Sequence, residues 1–320
     1  YFSRGLMVAL HKDNEIYHIP VDLNKQSNLL NKFYYLKFED ILKSENIPYK
    51  IVDYEDYDSD YFIGRFAHAL PDKKIHSKCF NKLYNHYGEK MWPNKKSYYY
   101  YDNKVRQYEL LKKYNLHIPS IICNDLKELL ENISPNKVVK STYGAGGESI
   151  FFINDDLNKI EQYISKTYNK DNFFPCLIQD NIKEQYEFQV FLTGNRLWGL
   201  KIKTNDSQDV FRVDRNLHWV HRNHTNKNSV IIKDGDLKLD LIEKLFKLKN
   251  KLNTPNIKFD MIGNKVMEFS YIYGETIPLP SSTKYTYFDN NTKTFNQEVI
   301  SFKEFAYKQQ TSVLKHLGIL

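Results

Sequence analysis

Two segments of the sequence bring together residue types suited to a phosphorylated ligand. The first is Lys137-Val-Val-Lys-Ser-Thr-Tyr-Gly-Ala-Gly-Gly-Glu-Ser149. Closely spaced glycines let backbone N–H groups converge on an anion without Cβ obstruction. Lys140, just before them, has the reach for an α- or β-phosphate. The segment lacks a Gly-Lys-Ser/Thr ending, so it is no Walker A loop. Gly144-x-Gly146-x-x-Ser149 comes close to a dinucleotide fingerprint, but that fingerprint must open a helix, and Ile150-Phe-Phe-Ile153 reads as a strand. The loop therefore joins two strands. From the loop alone, a flap over phosphates and an ordinary hairpin tip both stay open.

The second segment is Ile257-Lys-Phe-Asp260-Met-Ile-Gly-Asn-Lys-Val-Met-Glu268-Phe-Ser270. It reads as a hairpin with one carboxylate on each strand. A two-residue loop at Gly263-Asn264 would pair Asp260 with Met267 and turn Glu268 to the other face. A three-residue loop, Gly263-Asn264-Lys265, would pair Asp260 with Glu268 at a Cβ separation of about 4.5–5.5 Å, with Ser270 further along the same face. The reading taken is the three-residue loop. Two carboxylates that close need a cation, and hard oxygen ligands suit Mg²⁺ bridging nucleotide phosphates.

Other polar groups invite weaker readings. His218-x-x-His221-x-x-His224 has zinc-like residues but sits in an Asn- and Arg-rich stretch without helical periodicity, and contact with a substrate is the preferred reading. Arg65 and His68 follow a predicted strand end, where open α/β units meet ligands, and are candidates for an acidic substrate. The acidic run Asp53 to Asp60 reads as a solvated connection. The Tyr98 to Tyr101 run has no assigned role.

These groups need elements to hold them. The spacing predicts a first α/β unit with strands at Leu6–Leu10, Pro48–Val52 and Tyr61–Phe66 and a helix over Asn28–Ser44, which together suggest a Rossmann-like sheet. Lys73–Gly88 reads as helical and Trp92-Pro-Asn94 as a turn. Asp102 is placed to N-cap a helix running to about Tyr114. A helix at Asp125–Asn132, strands at Lys137–Lys140 and Ile150–Ile153, a helix at Leu157–Tyr168 and a strand at Cys176–Gln179 follow. Tyr186–Leu192 and Leu197–Ile202 form a hairpin. Lys238–Leu252 is an amphipathic helix with a solvated Lys side, and Phe302–His316 is helical.

Composition excludes several classes. The chain has 320 residues, 41% hydrophobic and 27% charged, as ordinary globular proteins do. No apolar run approaches the roughly 18–20 residues of a membrane span, and Tyr1 to Leu10 is too short and mixed for a signal peptide. Three cysteines, Cys79, Cys123 and Cys176, are too few and too scattered for a disulfide framework and fit a reducing compartment. The net charge of +7 is compatible with nucleic acid or with any anionic small molecule, and no nucleic-acid recognition motif accompanies it.

The order of these parts is more specific than any one of them. From about Asp60 to Gly274 it resembles the ATP-grasp superfamily. Asp102-Asn-Lys-Val-Arg-Gln-Tyr-Glu-Leu-Leu111 resembles the family's lysine-bearing helix, Lys137 to Gly147 its Val-Val-Lys-Pro-x-x-Gly-x-Gly-Gly loop, and Asp260 with Glu268 its metal pair. Ile63-Gly-Arg-Phe-Ala-His68, Trp92-Pro-Asn94, Asp209-Val-Phe-Arg212 and Met267-Glu-Phe-Ser-Tyr271 are similar to ATP-grasp proteins of capsule and surface-polysaccharide biosynthesis. The ribosomal-protein glutamate ligases and D-alanine ligases carry Glu-x-Asn where this chain has Glu268-Phe-Ser270, and the former have Arg where Gln189 stands.

The resemblance implies an α/β ATP-grasp fold. It has a Rossmann-like N-terminal lobe (1–101), a small α+β flap lobe (102–178) and a mixed-sheet catalytic lobe (179–320). It implies ATP and Mg²⁺ as cofactors. Lys104 and Lys140 would hold the α- and β-phosphates, and Tyr143, Gly144, Gly146 and Gly147 would form the flap. The backbone of Gln179, Asp180, Asn181 and Ile182 would read the adenine edge, and Glu187 the ribose. Arg212, helped by Lys201, would face the γ-phosphate, and Asp260, Glu268 and Ser270 would hold the metal. The implied activity is a cytoplasmic ADP-forming carboxylate–amine ligase working through an acyl phosphate. Its partners would be an acidic small molecule or glycan precursor and an amine, with neither nucleic acid nor a membrane span. A phosphotransferase on the same scaffold is the alternative.

Overall fold

The computed structural model describes residues 7–10, 40–52, 59–64, 73–101, 103–143, 150–153, 164, 173–182, 184–203, 229–271 and 283–320. All but Ile164 of the helix expected at Leu157–Tyr168 and most of the one expected at Asn28–Ser44 lie outside them, as does Asp102.

The first sheet contains β1 (Met7–Leu10), β2 (Tyr49–Val52), β3 (Tyr61–Gly64) and β4 (Met91–Trp92), in the order β2-β1-β3-β4. Helices α1 (Lys73–Tyr87) and α2 (Lys95–Tyr100) flank β4 in sequence. Among the described residues, the parallel pairing suggested by the helix–strand rhythm is met only between β3 and β4, which α1 connects; β1 pairs antiparallel with both β2 and β3. Rhythm reports alternation of elements, not strand direction.

Trp92 belongs to β4 rather than to a turn, and Asn94 joins two helices. Its side chain accepts from the Ser97 N–H at 2.8 Å, capping α2, while its Nδ2 donates to the Leu252 carbonyl at 3.0 Å and to that of Asn253. The tyrosine run packs this seam: Tyr98 stacks on Phe80 at 3.8 Å, and Tyr101 lies against Tyr271 at 4.6 Å between ring centroids.

Helix α3 (Lys104–Lys113) is capped by Asn103, whose side chain accepts from the Arg106 N–H at 2.9 Å, in place of the expected Asp102. The middle sheet follows, with β5 (Ser120–Cys123), β6 (Lys137–Ser141), β7 (Ile150–Phe152) and β8 (Cys176–Asp180) in the order β5-β8-β6-β7. One face, with Cys123, Val139, Cys176 and Ile178, buries Leu129 of α4 (Leu126–Asn132). The period of two leaves Lys140 and Gln179 on the opposite face.

The large sheet runs β13-β12-β9-β10-β14-β15, with β11 beside β10. Its strands are β9 (Tyr186–Thr193), β10 (Arg196–Lys203), β11 (Ser229–Ile231), β12 (Asn256–Ile262), β13 (Lys265–Ser270), β14 (Thr283–Asp289) and β15 (Thr294–Ile300). Helix α5 (Leu239–Leu252) sets Leu241, Ile242, Leu245 and Leu248 against Val190, Leu192, Phe259 and Met261 in one core. Gly199 lies under that layer: a Cβ there would meet the Ile232 side chain at 2.1 Å. Helix α6 (Phe302–His316) covers part of the other face through Phe305, which packs on Phe191 and Trp198. The same helix sends Val313 and Leu314 into the core of the first sheet.

Candidate nucleotide and metal site

The site is built from the face of the large sheet that α5 does not cover. In β9 the residues Glu187, Gln189 and Phe191 share that face. Across the ladder to β12, Glu187 is opposite Ile262, Gln189 opposite Asp260, and Phe191 opposite Lys258. From β12 to β13, Asp260 is opposite Glu268 and Lys258 opposite Ser270. Glu187, Asp260, Glu268, Ser270 and Lys258 thus stand together on one surface.

The route to that pairing differs from the expected one. The turn is the two-residue loop Gly263-Asn264, because Ile262 pairs with Lys265. Gly263 takes φ +52°, and a Cβ there would press on Glu184 at 3.2 Å. On its own this loop would put Met267 opposite Asp260. A register shift between Asp260 and Met261 absorbs Met267 as an extra residue and restores the Asp260–Glu268 pair.

The second wall comes from the middle sheet and α3. Lys104 opens α3 and is only 5% exposed, and its backbone N–H donates to the Thr142 carbonyl at 2.9 Å. Lys140 is buried, and its Nζ donates to Gln179 Oε1 at 2.5 Å. Gln179 Nε2 in turn reaches Ser120 Oγ at 3.1 Å. Burial pushes the Lys140 ammonium down to about 8; the Glu268 carboxylate opposes this, Lys104 adds to it, and Glu187 opposes it. Lys140 therefore feels groups from both walls. Two residues beyond β6, Tyr143 accepts at its hydroxyl from Asn103 Nδ2 at 2.8 Å.

Other expected site residues are placed differently. Lys201 stands opposite Phe188, one residue out of phase with Glu187, and so points to the face that α5 packs on. Its ammonium pairs with Asp236 at 2.7 Å and lies 4.2 Å from the Tyr186 ring centroid. The Asp180 side chain pairs with Lys137. The N–H groups of Asp180 and Asn181 donate to the Pro119 and Asn136 carbonyls at 3.1 and 3.0 Å. A base edge would therefore have to be read by other backbone groups of the Gln179 to Ile182 segment. Arg212, Gly144, Gly146, Gly147, Arg65, His68, His218, His221 and His224 lie outside the described residues.

Two residues to which the sequence assigned no site role join the site. Lys258 is two residues before Asp260, hence on the same face, and its ammonium lies 2.9 Å from the Asp260 carboxylate. That spacing was visible as Lys-x-Asp in a strand. Gln189 stands directly opposite Asp260, and its buried carbonyl oxygen has no hydrogen-bond partner among the described residues.

The donor set fits a hard divalent cation. Among the described residues no cluster of three or more His, Cys, Asp or Glu could cage a metal. A pair of carboxylates with a hydroxyl nearby is what Mg²⁺ uses when phosphate oxygens and water complete its octahedron.

No family model and no curated protein sequence matches the chain. Solved structures do. The D-cycloserine synthetase DcsG superposes with a TM-score of 0.59 at 12% identity, over 95% of this chain and 100% of that one. The ATP-grasp ligase PsnB, complexed with a minimal precursor, superposes with a TM-score of 0.50 at 10% identity, over 94% and 99% of the two chains. The chain has the ATP-grasp fold. Among the described residues, no helix is long and apolar enough to cross a membrane.

Proposed function

We propose that the chain is a Mg–ATP-dependent carboxylate–amine ligase that releases ADP and works through an acyl phosphate. The observation that carries this reading is the meeting of Lys104 and Lys140 from one wall with Glu187, Asp260 and Glu268 from the other. Cations suited to phosphate thus lie within electrostatic reach of carboxylates suited to a divalent metal. The nucleotide would sit between the flap lobe (102–178) and the catalytic lobe (179–320).

In this reading Lys140 and Lys104 bind the phosphates, and Gln179 holds Lys140 in place. Glu187 accepts from the ribose hydroxyls. Asp260 and Glu268, with Ser270 beside them, hold Mg²⁺, which when bound neutralises phosphate charge. Lys258, paired with Asp260 at 2.9 Å, would supply a further cation for the γ-phosphate beside the metal carboxylates. It takes the role expected of Lys201, that of helper to Arg212. Phosphoryl transfer asks a protein mainly for such positioning and charge neutralisation. The resemblance of its motifs to those of surface-polysaccharide proteins supports a uronic acid of a nucleotide sugar or glycan precursor as the acid, with Arg65 and His68 as residues that would bind it. The amine would be an amino acid or amino alcohol, and the site of action the cytoplasm, where ATP is abundant.

The contrast between two lysines is a direct consequence. Lys258→Met is expected to lower turnover by about 10²-fold, the scale of losing one charged donor to the transition state. Lys201→Met is expected to act on stability, by about 1–3 kcal/mol, because it leaves the Asp236 carboxylate buried without its cation. Steady-state ADP release and denaturant unfolding on the two variants check both.

The reaction itself is tested by following ATP with phosphorus NMR in the presence of Mg²⁺, uronic acids, nucleotide sugars and amines. The ligase reading expects ADP and free phosphate only when acid and amine are both present. ADP with a phosphorylated acceptor and no need for an amine would make the protein a phosphotransferase. AMP and pyrophosphate would contradict γ-phosphate transfer.

A further inference from the structure

We propose that Gln107 is a positioning residue that sets the separation between the Lys104 helix and the Glu268 strand, and so between a bound nucleotide's phosphates and its divalent cation. This rests on the nucleotide-site reading above.

Strand β13 is the edge of the large sheet, and every second residue of such an edge turns both its N–H and its C=O outward. Phe269 is one of these, between Glu268 and Ser270. Its outward groups are taken by a single side chain: Gln107 Oε1 accepts from the Phe269 N–H at 3.0 Å, and Gln107 Nε2 donates to the Phe269 carbonyl at 2.9 Å. A glutamine amide thus replaces a neighbouring strand. The same Nε2 also donates to the Tyr100 carbonyl at 3.0 Å, which ties in the end of α2. Gln107 is 2% exposed and lies one turn after Lys104 on α3. A second tie runs further along the same edge, where the Val266 N–H donates to the Leu116 carbonyl at 2.8 Å.

Buried polar side chains that satisfy both groups of a peptide unit fix position as well as contribute stability. Losing the Gln107 tie leaves the Val266 tie in place, so the edge stays attached but the Glu268 end can shift. Phosphate binding through Lys104 and Lys140 needs only one wall. Metal-assisted binding needs both walls at the right spacing.

The test is ATP binding by titration calorimetry on the full chain, with and without Mg²⁺, for the wild type, Gln107→Met and Gln107→Glu. The ratio of the two affinities is the Mg²⁺ gain. In Gln107→Met the Mg²⁺-free affinity is expected within about twofold of wild type, because Lys104 keeps its own tie to the middle sheet through the Thr142 carbonyl. The Mg²⁺ gain is expected to fall roughly tenfold, as when a residue supporting metal ligands is removed. Gln107→Glu keeps an acceptor for the Phe269 N–H but sets a buried carboxylate against the Phe269 and Tyr100 carbonyls, so its Mg²⁺ gain should fall at least as far as in Gln107→Met.

A gain unchanged in folded Gln107→Met, or both affinities reduced by one common factor, would overturn the proposal. If Gln107→Met does not fold, Gln107→Asn, with the amide one methylene shorter, is read in the same way. Failure of both to fold would assign Gln107 to the fold alone and also overturn it. A wild type with no Mg²⁺ gain would instead refute the site reading.

Discussion

Asp260→Asn and Glu268→Gln are each expected to lower ATP turnover by about 10²–10³-fold, the scale on which one preorganised electrostatic partner of a transition state is lost. The two carboxylates sit opposite each other on adjoining strands, so each supplies half of the protein's charge to one cation. Mg²⁺ dehydrates reluctantly and holds to carboxylate oxygen far better than to a neutral amide. The substitutions preserve shape, and the ion pair lost in Asp260→Asn is partly exposed, so unfolding should change little. ATP affinity measured without Mg²⁺ should persist, because Lys104 and Lys140 are untouched. Steady-state ADP release with titrated Mg²⁺ checks this; near-wild-type turnover in both variants would remove the metal from this hairpin.

Lys140→Met is expected to abolish Mg–ATP turnover and at the same time make the protein more stable. Burial lowers the Lys140 pKa from 10.5 to about 8, which below pH 8 amounts to a cost of about 3 kcal/mol for keeping the ammonium in the folded state. Losing the charge-assisted hydrogen bond to Gln179 returns about 2 kcal/mol of that, for a net gain of about 1 kcal/mol.

The sign follows from linkage. The folded pKa lies below the unfolded one, so between about 8 and 10.5 the unfolded chain binds more protons and stability rises with pH. Below pH 8 both states are protonated and this group adds no slope. Lys249 of α5, also pushed down to about 8 by burial, has the same signature, so the difference between wild type and Lys140→Met isolates Lys140. ATP binding has the opposite trend. A phosphate needs the charged ammonium, so affinity should fall as pH rises above about 8, and that fall should vanish in the variant. Denaturant unfolding and ATP titration at pH 7 and pH 9.5 measure both.

Much of this site was legible because strands alternate. Lys140 and the Asp260–Glu268 pair stand out as charged residues in otherwise apolar strands, and the hairpin turns could be found from Gly-Asn pairs. What the sequence concealed was phase. Glu187 and Lys201 look equivalent as polar residues on paired strands, but the β9–β10 register puts them on opposite faces. The register shift beside Asp260 leaves no compositional trace, since Met267 is an ordinary strand residue, yet it decides whether the carboxylates meet. The capping role fell to Asn103 rather than its neighbour Asp102, because both have a side chain able to cap and only the docking of α3 on Thr142 sets where the first turn begins. The β14–β15 hairpin was passed over for the same reason in reverse: its alternation is blurred by polar residues on a largely solvated ladder. Gln107 could not have been found from sequence at all, because its partner is the backbone of a residue 162 positions away.

The most direct test of the central claim is calorimetric titration of ATP into the wild-type chain with and without Mg²⁺, repeated on Asp260→Asn. If the two walls form one Mg–ATP site, the wild type binds ATP more tightly with Mg²⁺, and Asp260→Asn loses that difference while keeping the Mg²⁺-free binding. Absence of ATP binding, or binding that Mg²⁺ and Asp260→Asn leave unchanged, would contradict it.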